Sequence, residues 1–474
     1  MTLSQNWKQN RPIPAVLLAI VLGSAGLKLV GRHTAGIGAL PEILSSRKDL
    51  TQELRAQVSA ADGRPEGADL KRFYDAAGFL PVWVEGNALS ERGEAAVMLL
   101  KSAGVRGLQP EDYASGLAVL KANSDVEAVR LDVAVTTNLL SFTNDVRNGR
   151  WNPGIYASAK ESPKAALGDV LWSVATDPAG VEAGIEKLDP PFEDYRRLVT
   201  ALAAYQEQAK ADPSKLAQVH EIERTMERWR WLPREFDRGP ILVNIPEFQL
   251  RAWDASNHVA LQMRVAVGKG KTPTPLFTSD MQYLIFGPYW NVPSSILQKE
   301  LIPDINKDRG YLSKNSYEAV DGAGKVVAED EVSEETLAGL KTGKLRVRQV
   351  PGGKNALGRV KFLFPNQNDV YLHDTNSRSV FGLAKRDVSH GCVRVQKPEE
   401  LAAWVLRDQP EWTRERIAEA LKDTDTQRAN LKTPIPVYML YHTVTVGDDG
   451  EVHFWRDIYK EDAELAARMM AGKS

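Results

Sequence analysis

This chain contains one cysteine, Cys392, and that scarcity closes off several functions at once. A single thiol cannot form an internal disulfide, a multi-cysteine zinc cluster or a Cys-ligated iron–sulfur cluster. Histidine is sparse too: seven are scattered along the chain with no HExxH spacing, which disfavours a metallohydrolase. Positive charge is not in excess. The 60 Lys+Arg meet 62 Asp+Glu, leaving a formal net charge of −2, so the basic face that bulk nucleic-acid binding needs is missing. Past the N-terminal region nothing is apolar enough to span a bilayer, and there is no internal repeat or low-complexity tract.

What is present suffices for a folded, multidomain molecule. The 474 residues correspond to about three domains. A hydrophobic fraction of 43% and an aromatic fraction of 8% supply real cores. Lys8 and Arg11 precede an apolar run from Ile13 to Leu22, which ends in Gly23-Ser24-Ala25-Gly26, the layout of a secretory signal. Extended through Leu27, Leu29 and Val30, the run reaches about 18 positions, the lower limit of a membrane span. Residues 1–30 are therefore expected to be either a signal peptide or an N-terminal inner-membrane tether, and both imply export. No cysteine follows the run, which excludes lipidation there.

Residues 31–65 are weakly periodic and read as a linker. The pattern over 66–238 is helical: Leu131, Val135, Leu139, Phe142 and Val146 recur every three or four residues, one buried stripe. Further helices are expected from about Phe192 to Ala209 and from Lys215 to Trp231, ahead of Pro233. At Gly239 the period changes to two, with β-branched runs at 241–243, 249–253 and 259–267. Residues 294–350 break this pattern with charge and Gly322-Ala323-Gly324, an insertion read as a lid or cap. Strand signals return at 360–364, 370–373 and 437–446. The expected fold is α+β multidomain: a helical N-terminal region, then a mostly-β domain over 239–474 carrying the insertion.

The chemistry concentrates in Tyr371-Leu372-His373-Asp374 and, with fifteen residues between His373 and its start, in Ser389-His390-Gly391-Cys392-Val393-Arg394. A free thiol is mostly protonated at neutral pH, and only the thiolate attacks carbonyls well. A nearby imidazole can take that proton and keep an ion pair in place. Glycine before the cysteine lets backbone N–H groups approach a substrate oxyanion. Arg394, two residues on, shares the cysteine's side of an extended chain and can hold a carboxylate.

These residues resemble the signature of the L,D-transpeptidases with a YkuD-type catalytic domain. The likeness extends through Val267-Gly268-Lys269 with Thr272-Pro273-Thr274-Pro275, through Pro288-Tyr289-Trp290-Asn291-Val292-Pro293, and to Arg386. Phe79-Leu80-Pro81-Val82-Trp83 and Leu108 to Tyr113 are similar to the scaffold domain of the large YcbB-type members, and 294–350 falls where those carry their cap. Those members usually hold a peptidoglycan-binding module before the segment Glu227 to Pro233. Here there is no room for one, so the scaffold, the cap or a cell-wall synthesis protein would have to supply targeting.

The resemblance implies Cys392 as nucleophile and His373 as its base, the imidazole oriented by the backbone carbonyl of Asp374. His390 is a competing or supporting histidine, and Ser389 either tunes a histidine or closes a turn. Gly391 and Cys392 N–H groups with Tyr371 would hold the oxyanion. Arg394, Trp290, Asn291 and Arg386 would contact substrate. The implied substrates are peptidoglycan tetrapeptide stems, as donor and acceptor, joined in a 3→3 cross-link with release of D-Ala, in the periplasm. No metal or organic cofactor is implied, and a cysteine acyl-enzyme implies acylation by carbapenems. Attachment of an outer-membrane protein to the wall would use the same donor chemistry. A non-catalytic wall-binding scaffold is the reading from another class, and an intact His373/Cys392/Arg394 set speaks against it. A papain-like hydrolase would place its cysteine on a helix start well before the histidine, the reverse of the order here.

Overall fold

Helix-favouring runs dominate the first half of the chain, and what fixes them is a small number of buried polar groups as much as apolar stripes. A computed structural model describes residues 50–471, apart from 118–121, 158–164, 237 and 328–329. The apolar N-terminal run read as a signal or tether lies outside the described residues. The first helix, α1 (50–59), corrects the linker expected over 31–65. Its Leu54 and Val58 are buried in the helical core, a four-residue spacing that polar neighbours obscured. It is followed by α2 (Gly67–Ala76), the hairpin β1 (Val84–Glu85) and β2 (Ala88–Leu89), α3 (Glu91–Lys101), α4 (Glu111–Ala114), α5 (Asp125–Asn148), α6 (Leu167–Ala175) and α7 (Val181–Glu186). All five residues of the predicted α5 stripe are buried. Ser124 caps this helix by accepting the Glu127 N–H. Inside the core the Asp132 carboxylate accepts N–H bonds from Val82, Trp83 and Val84 and the hydroxyl of Tyr74 at 2.6 Å. One buried acid thus ties the Phe79–Trp83 segment to α5.

Two antiparallel helices, α8 (Glu193–Ala211) and α9 (Leu216–Arg230), join the helical half to the sheet. Their apolar faces share a core with Leu242, Trp253, Tyr438 and Leu440 of the β domain. The Arg/Trp-rich end of α9 is buried. Arg230 and Glu227 are both fully enclosed and pair at 3.1 Å, and Arg230 also donates to the Tyr195 hydroxyl and the Arg106 carbonyl. Glu227 also accepts the Trp151 N–H at 2.9 Å. Gly149 ends α5 at φ +87°, where a Cβ would stand 2.7 Å from a Glu227 oxygen.

The β domain runs β3 (Ile241–Asn244), β4 (Gln249–Trp253), β5 (Val259–Gly268) and β6 (Phe277–Phe286) before the insertion begins. The insertion comprises β7 (Trp290–Asn291), α10 (Ser294–Ile296), a π-helical turn Leu297–Leu301, α11 (Ile302–Lys307), α12 (Tyr311–Lys314), β8 (Tyr317–Val320), β9 (Val326–Val327), α13 (Glu334–Thr342) and β10 (Arg346–Gln349). It has its own four-stranded sheet and its own apolar core. The chain then forms β11 (Val360–Leu363), β12 (Leu372–His373), β13 (Asp387–Ser389), β14 (Val393–Val395), α14 (Pro398–Val405), α15 (Arg414–Ala420), β15 (Gln427–Leu440), the hairpin β16 (Val444–Val446) and β17 (Val452–Phe454), and α16 (Glu461–Ala471). The large sheet has the order β13-β5-β14-β12-β11-β6-β15-β3-β4, and β4 also pairs with β5, so the sheet closes on itself. Val265, Leu284, Phe362, Leu372 and Val393 point into the closed core.

Replacing Arg230 with Met leaves the Glu227 carboxylate buried without its cation, so the full chain is expected to lose about 3–5 kcal/mol in urea unfolding. Glu227→Leu combined with Arg230→Met should recover most of that. An Arg230→Met chain as stable as the parent would show that the pair does not secure the packing of α9 within the helical half.

Candidate active site

Strand register places the reactive side chains. β12 pairs in parallel with β14, setting Leu372 opposite Val393 and His373 opposite Arg394. It pairs antiparallel with β11, setting Lys361 opposite His373. Residues two apart on a strand share a face. Tyr371, His373, Cys392, Arg394 and Lys361 therefore stand on one face, while Leu372, Val393 and Phe362 turn into the core. The Val393 N–H donating to the Tyr371 carbonyl at 3.1 Å carries the pairing back to Tyr371 and Cys392.

Cys392 leaves a tight loop. Gly391 has φ +121°, a backbone conformation that favours glycine. Ser389 Oγ donates to the Cys392 carbonyl at 2.6 Å and accepts the Gly391 N–H at 3.1 Å. Ser389 therefore closes the turn and tunes no histidine. The Gly391 amide is already used, which corrects its expected place among the oxyanion donors. A second loop braces the first: Thr274 Oγ1 donates to the Gly391 carbonyl at 2.7 Å and accepts the Gly268 N–H, and Thr272 Oγ1 donates to the Ser389 carbonyl. A cavity of about 360 Å³ behind Pro273–Pro275, walled by Trp151, Trp231 and Leu465, has neither Cys392 nor His373 in its lining.

The thiol is half-buried and donates to the Asp369 carbonyl at 3.7 Å, and the Tyr371 N–H and hydroxyl are both directed at the sulfur. No hydrogen bond joins it to His373. His373 is 5% exposed, and its Nδ1 lies 2.5 Å from the Asp374 carbonyl oxygen. A carbonyl only accepts, so Nδ1 carries the proton and Nε2 is left as the base. Burial, then the charges of Arg394 and Lys361, push the His373 pKa down to about 4, against an opposing pull from Asp374. Burial pushes the Cys392 thiol up, while Tyr371 and Lys361 act against it. The expected resting thiolate–imidazolium pair is therefore corrected to two neutral groups, because burial penalises both charged forms.

The Asp374 carboxylate is held away from the ring by Arg359 and Arg378, each at 2.9 Å. His390 also points elsewhere: its Nε2 lies 2.7 Å from Glu300 on the π-helical turn of the insertion. That contact corrects its reading as a competing base and makes it a tie between the cysteine loop and the cap. Arg394 has no ion-pair partner among the described residues, and its Nε is buried without a hydrogen bond. Trp290 packs on the cap core beside Tyr317, at 6.2 Å between ring centroids, and Asn291 is exposed next to it. Arg386 is corrected outright. Its guanidinium is bound to the carbonyls of Val265, Leu383 and Phe248, so it holds the fold and has no reach to substrate.

Sequence reasoning passed over Lys361, Thr274, Asp369 and Glu300 as participants. Lys361 had a signal, since a lysine between Val360 and Phe362 in an apolar run stands out. Glu300 had none, because the cap's approach to His390 is a tertiary contact. Among the described residues no group of three or more His, Cys, Asp or Glu side chains is placed to hold a metal.

Comparison with known proteins agrees with this geometry. Residues 239–437 match the L,D-transpeptidase catalytic domain, YkuD, and residues 68–202 match the Scaffold domain. No peptidoglycan-binding domain was found between or around them. A Haemophilus influenzae protein bearing an L,D-transpeptidase name is 28% identical over 403 residues, covering 84% of this chain and 78% of that protein. The chain thus joins a YkuD-type L,D-transpeptidase domain to a Scaffold domain.

With its pKa near 4, the His373 ring should remain neutral and protonated on Nδ1 at pH 5.5 in nitrogen-15 NMR spectra. Titration at the ordinary value of about 6.5 would contradict the electrostatics described.

Proposed function

We propose that this chain is a peptidoglycan L,D-transpeptidase acting outside the cytoplasm, with Cys392 as nucleophile and His373 Nε2 as general base. The observation that carries this is the shared face: a neutral imidazole with a free Nε2, a thiol and an unpaired arginine on adjoining strands of a YkuD-type domain. Proton transfer requires the sulfur to turn about the Cys392 Cα–Cβ bond from the Asp369 carbonyl toward the histidine. The sulfur attacks the carbonyl that links meso-diaminopimelate to the terminal D-Ala of a tetrapeptide donor, and its proton passes to Nε2. Negative charge on the tetrahedral oxygen meets the Cys392 N–H and the Tyr371 hydroxyl. The C–N bond then breaks, D-Ala leaves as the amine with the proton from His373, and a thioester remains.

The side-chain amine of a second diaminopimelate attacks the thioester, gives a proton to the same imidazole and releases the thiol, completing a 3→3 link. Arg394 suits the donor carboxylate. The cap, tied to the cysteine loop through Glu300 and His390, restricts water, so that the amine is favoured over hydrolysis. The Asp374 carbonyl lowers the cost of each proton transfer by fixing the ring's tautomer.

Incubation of the full chain with disaccharide-tetrapeptide should yield a cross-linked dimer and free D-Ala by mass spectrometry. Cys392→Ala should abolish both. Dimer formation that survives Cys392→Ala, or D-Ala release with a protein amine as the sole acceptor, would refute the thiol mechanism or the 3→3 acceptor respectively.

A further inference from the structure

Lys361 belongs to the row of side chains that carries the chemistry, yet nothing in the mechanism uses it. It stands opposite His373 in the β11–β12 register, so both project to the same face. Its Nζ lies over the Tyr371 ring at 5.8 Å from the centroid, and the Tyr371 hydroxyl is the group hydrogen-bonded to the Cys392 sulfur. The ammonium is half-buried and has no ion pair or hydrogen bond with an acid among the described residues. Its neighbours across the sheet do not balance it: Ile285 lies opposite it on β6, and Ala266 lies opposite Arg394 on β5. Burying a long cation without a partner is costly, and a protein that keeps one has a use for an anion beside it.

The reacting sulfur supplies that anion. Charges and dipoles facing Cys392 come from Tyr371, Asp369, Lys361 and Arg394, and those facing His373 come from Arg394, Asp374 and Lys361. The carboxylate of Asp374 is already neutralised by Arg359 and Arg378, and Glu300 is paired with His390. We infer that Lys361 is an electrostatic positioning residue for the proposed transfer: its ammonium stabilises the charge that develops on Cys392 Sγ and, from the facing strand, keeps His373 neutral. One cation serves both ends of the proton transfer, because a positive charge favours the anionic thiolate and disfavours the imidazolium. Removing it should move both titrations in the same direction, upward. Burial depresses the Lys361 pKa itself, and a negative sulfur would restore it.

This inference rests on Cys392 being the nucleophile, and its test does not need transpeptidation. In the full chain, the rate of Cys392 alkylation by iodoacetamide should be followed against pH for the parent, Lys361→Met and Lys361→Arg. The midpoint is expected to rise in Lys361→Met by about one pH unit, a tenfold slower alkylation at neutral pH. The His373 NMR titration should rise alongside it. Lys361→Arg, which keeps the charge, should return both to near the parent values. Lys361→Gln provides the same comparison where the methionine variant fails to fold. An alkylation profile unmoved by loss of the charge, or an arginine variant that behaves like methionine, would overturn the inference. So would a raised donor KM with an unmoved profile, which would make Lys361 a substrate-carboxylate contact. A chain that alkylates as expected but forms no cross-link would instead count against the proposed function alone.

Discussion

The parallel pairing of β12 with β14 is the constraint on which the site depends. Two short strands, separated in sequence by a segment that carries Arg386 and strand β13, must meet with His373 beside Arg394. A slip of one residue would turn His373 into the apolar core and bring Leu372 to the face that holds the thiol. Such a slip is opposed by burial on the other face, where Leu372, Val393 and Phe362 are fully enclosed. Loss of even one such side chain from a packed core costs on the order of 2–5 kcal/mol. The closed sheet therefore holds the reactive row in place through residues that take no part in the chemistry.

The same enclosure decides the charge state. A surface cysteine and histidine could share a proton as an ion pair, but here burial raises the thiol and depresses the imidazole, so the proton stays on sulfur at rest. In the proposed mechanism the proton moves only during attack, which spares the site the cost of a standing thiolate, a form that would also be exposed to oxidation. Backbone groups do much of the orienting. The Asp374 carbonyl fixes the histidine tautomer, Ser389 and Thr274 fix the cysteine loop, and the cap reaches that loop through Glu300. The buried Glu227–Arg230 pair ties α9 to Tyr195, Arg106 and Trp151 within the helical half, at a distance from these events.

Much of this was legible in the residues. The α5 stripe, the change of period at Gly239 and the insertion breaking the β pattern each reflect a local physical rule. The resemblance around His373 and Cys392 implied the Asp374 carbonyl at the imidazole, and the structure has that contact. What was hidden depends on tertiary placement. β6 was obscured because Ser279, Asp280 and Gln282 interrupt its apolar alternation, although both neighbours in the sheet are strands. Helix α1 was hidden by a short stripe in a polar segment. Arg386 was expected to contact substrate because the family resemblance extends to it. Three backbone carbonyls claim it instead, and sequence does not show where carbonyls point. The amide of Gly391 was misjudged for a similar reason: the glycine signalled close approach, but a serine of its own loop had taken the hydrogen bond.

The most direct measurement is to trap the enzyme in mid-reaction. The full chain is mixed with disaccharide-tetrapeptide, quenched in acid within the first turnovers and weighed intact, then digested to locate any added mass. The expected result is an adduct equal to the donor less its terminal D-Ala, on the peptide that contains Cys392. Cross-linked product accumulating with no adduct there, or with the adduct on another residue, would contradict the thioester route.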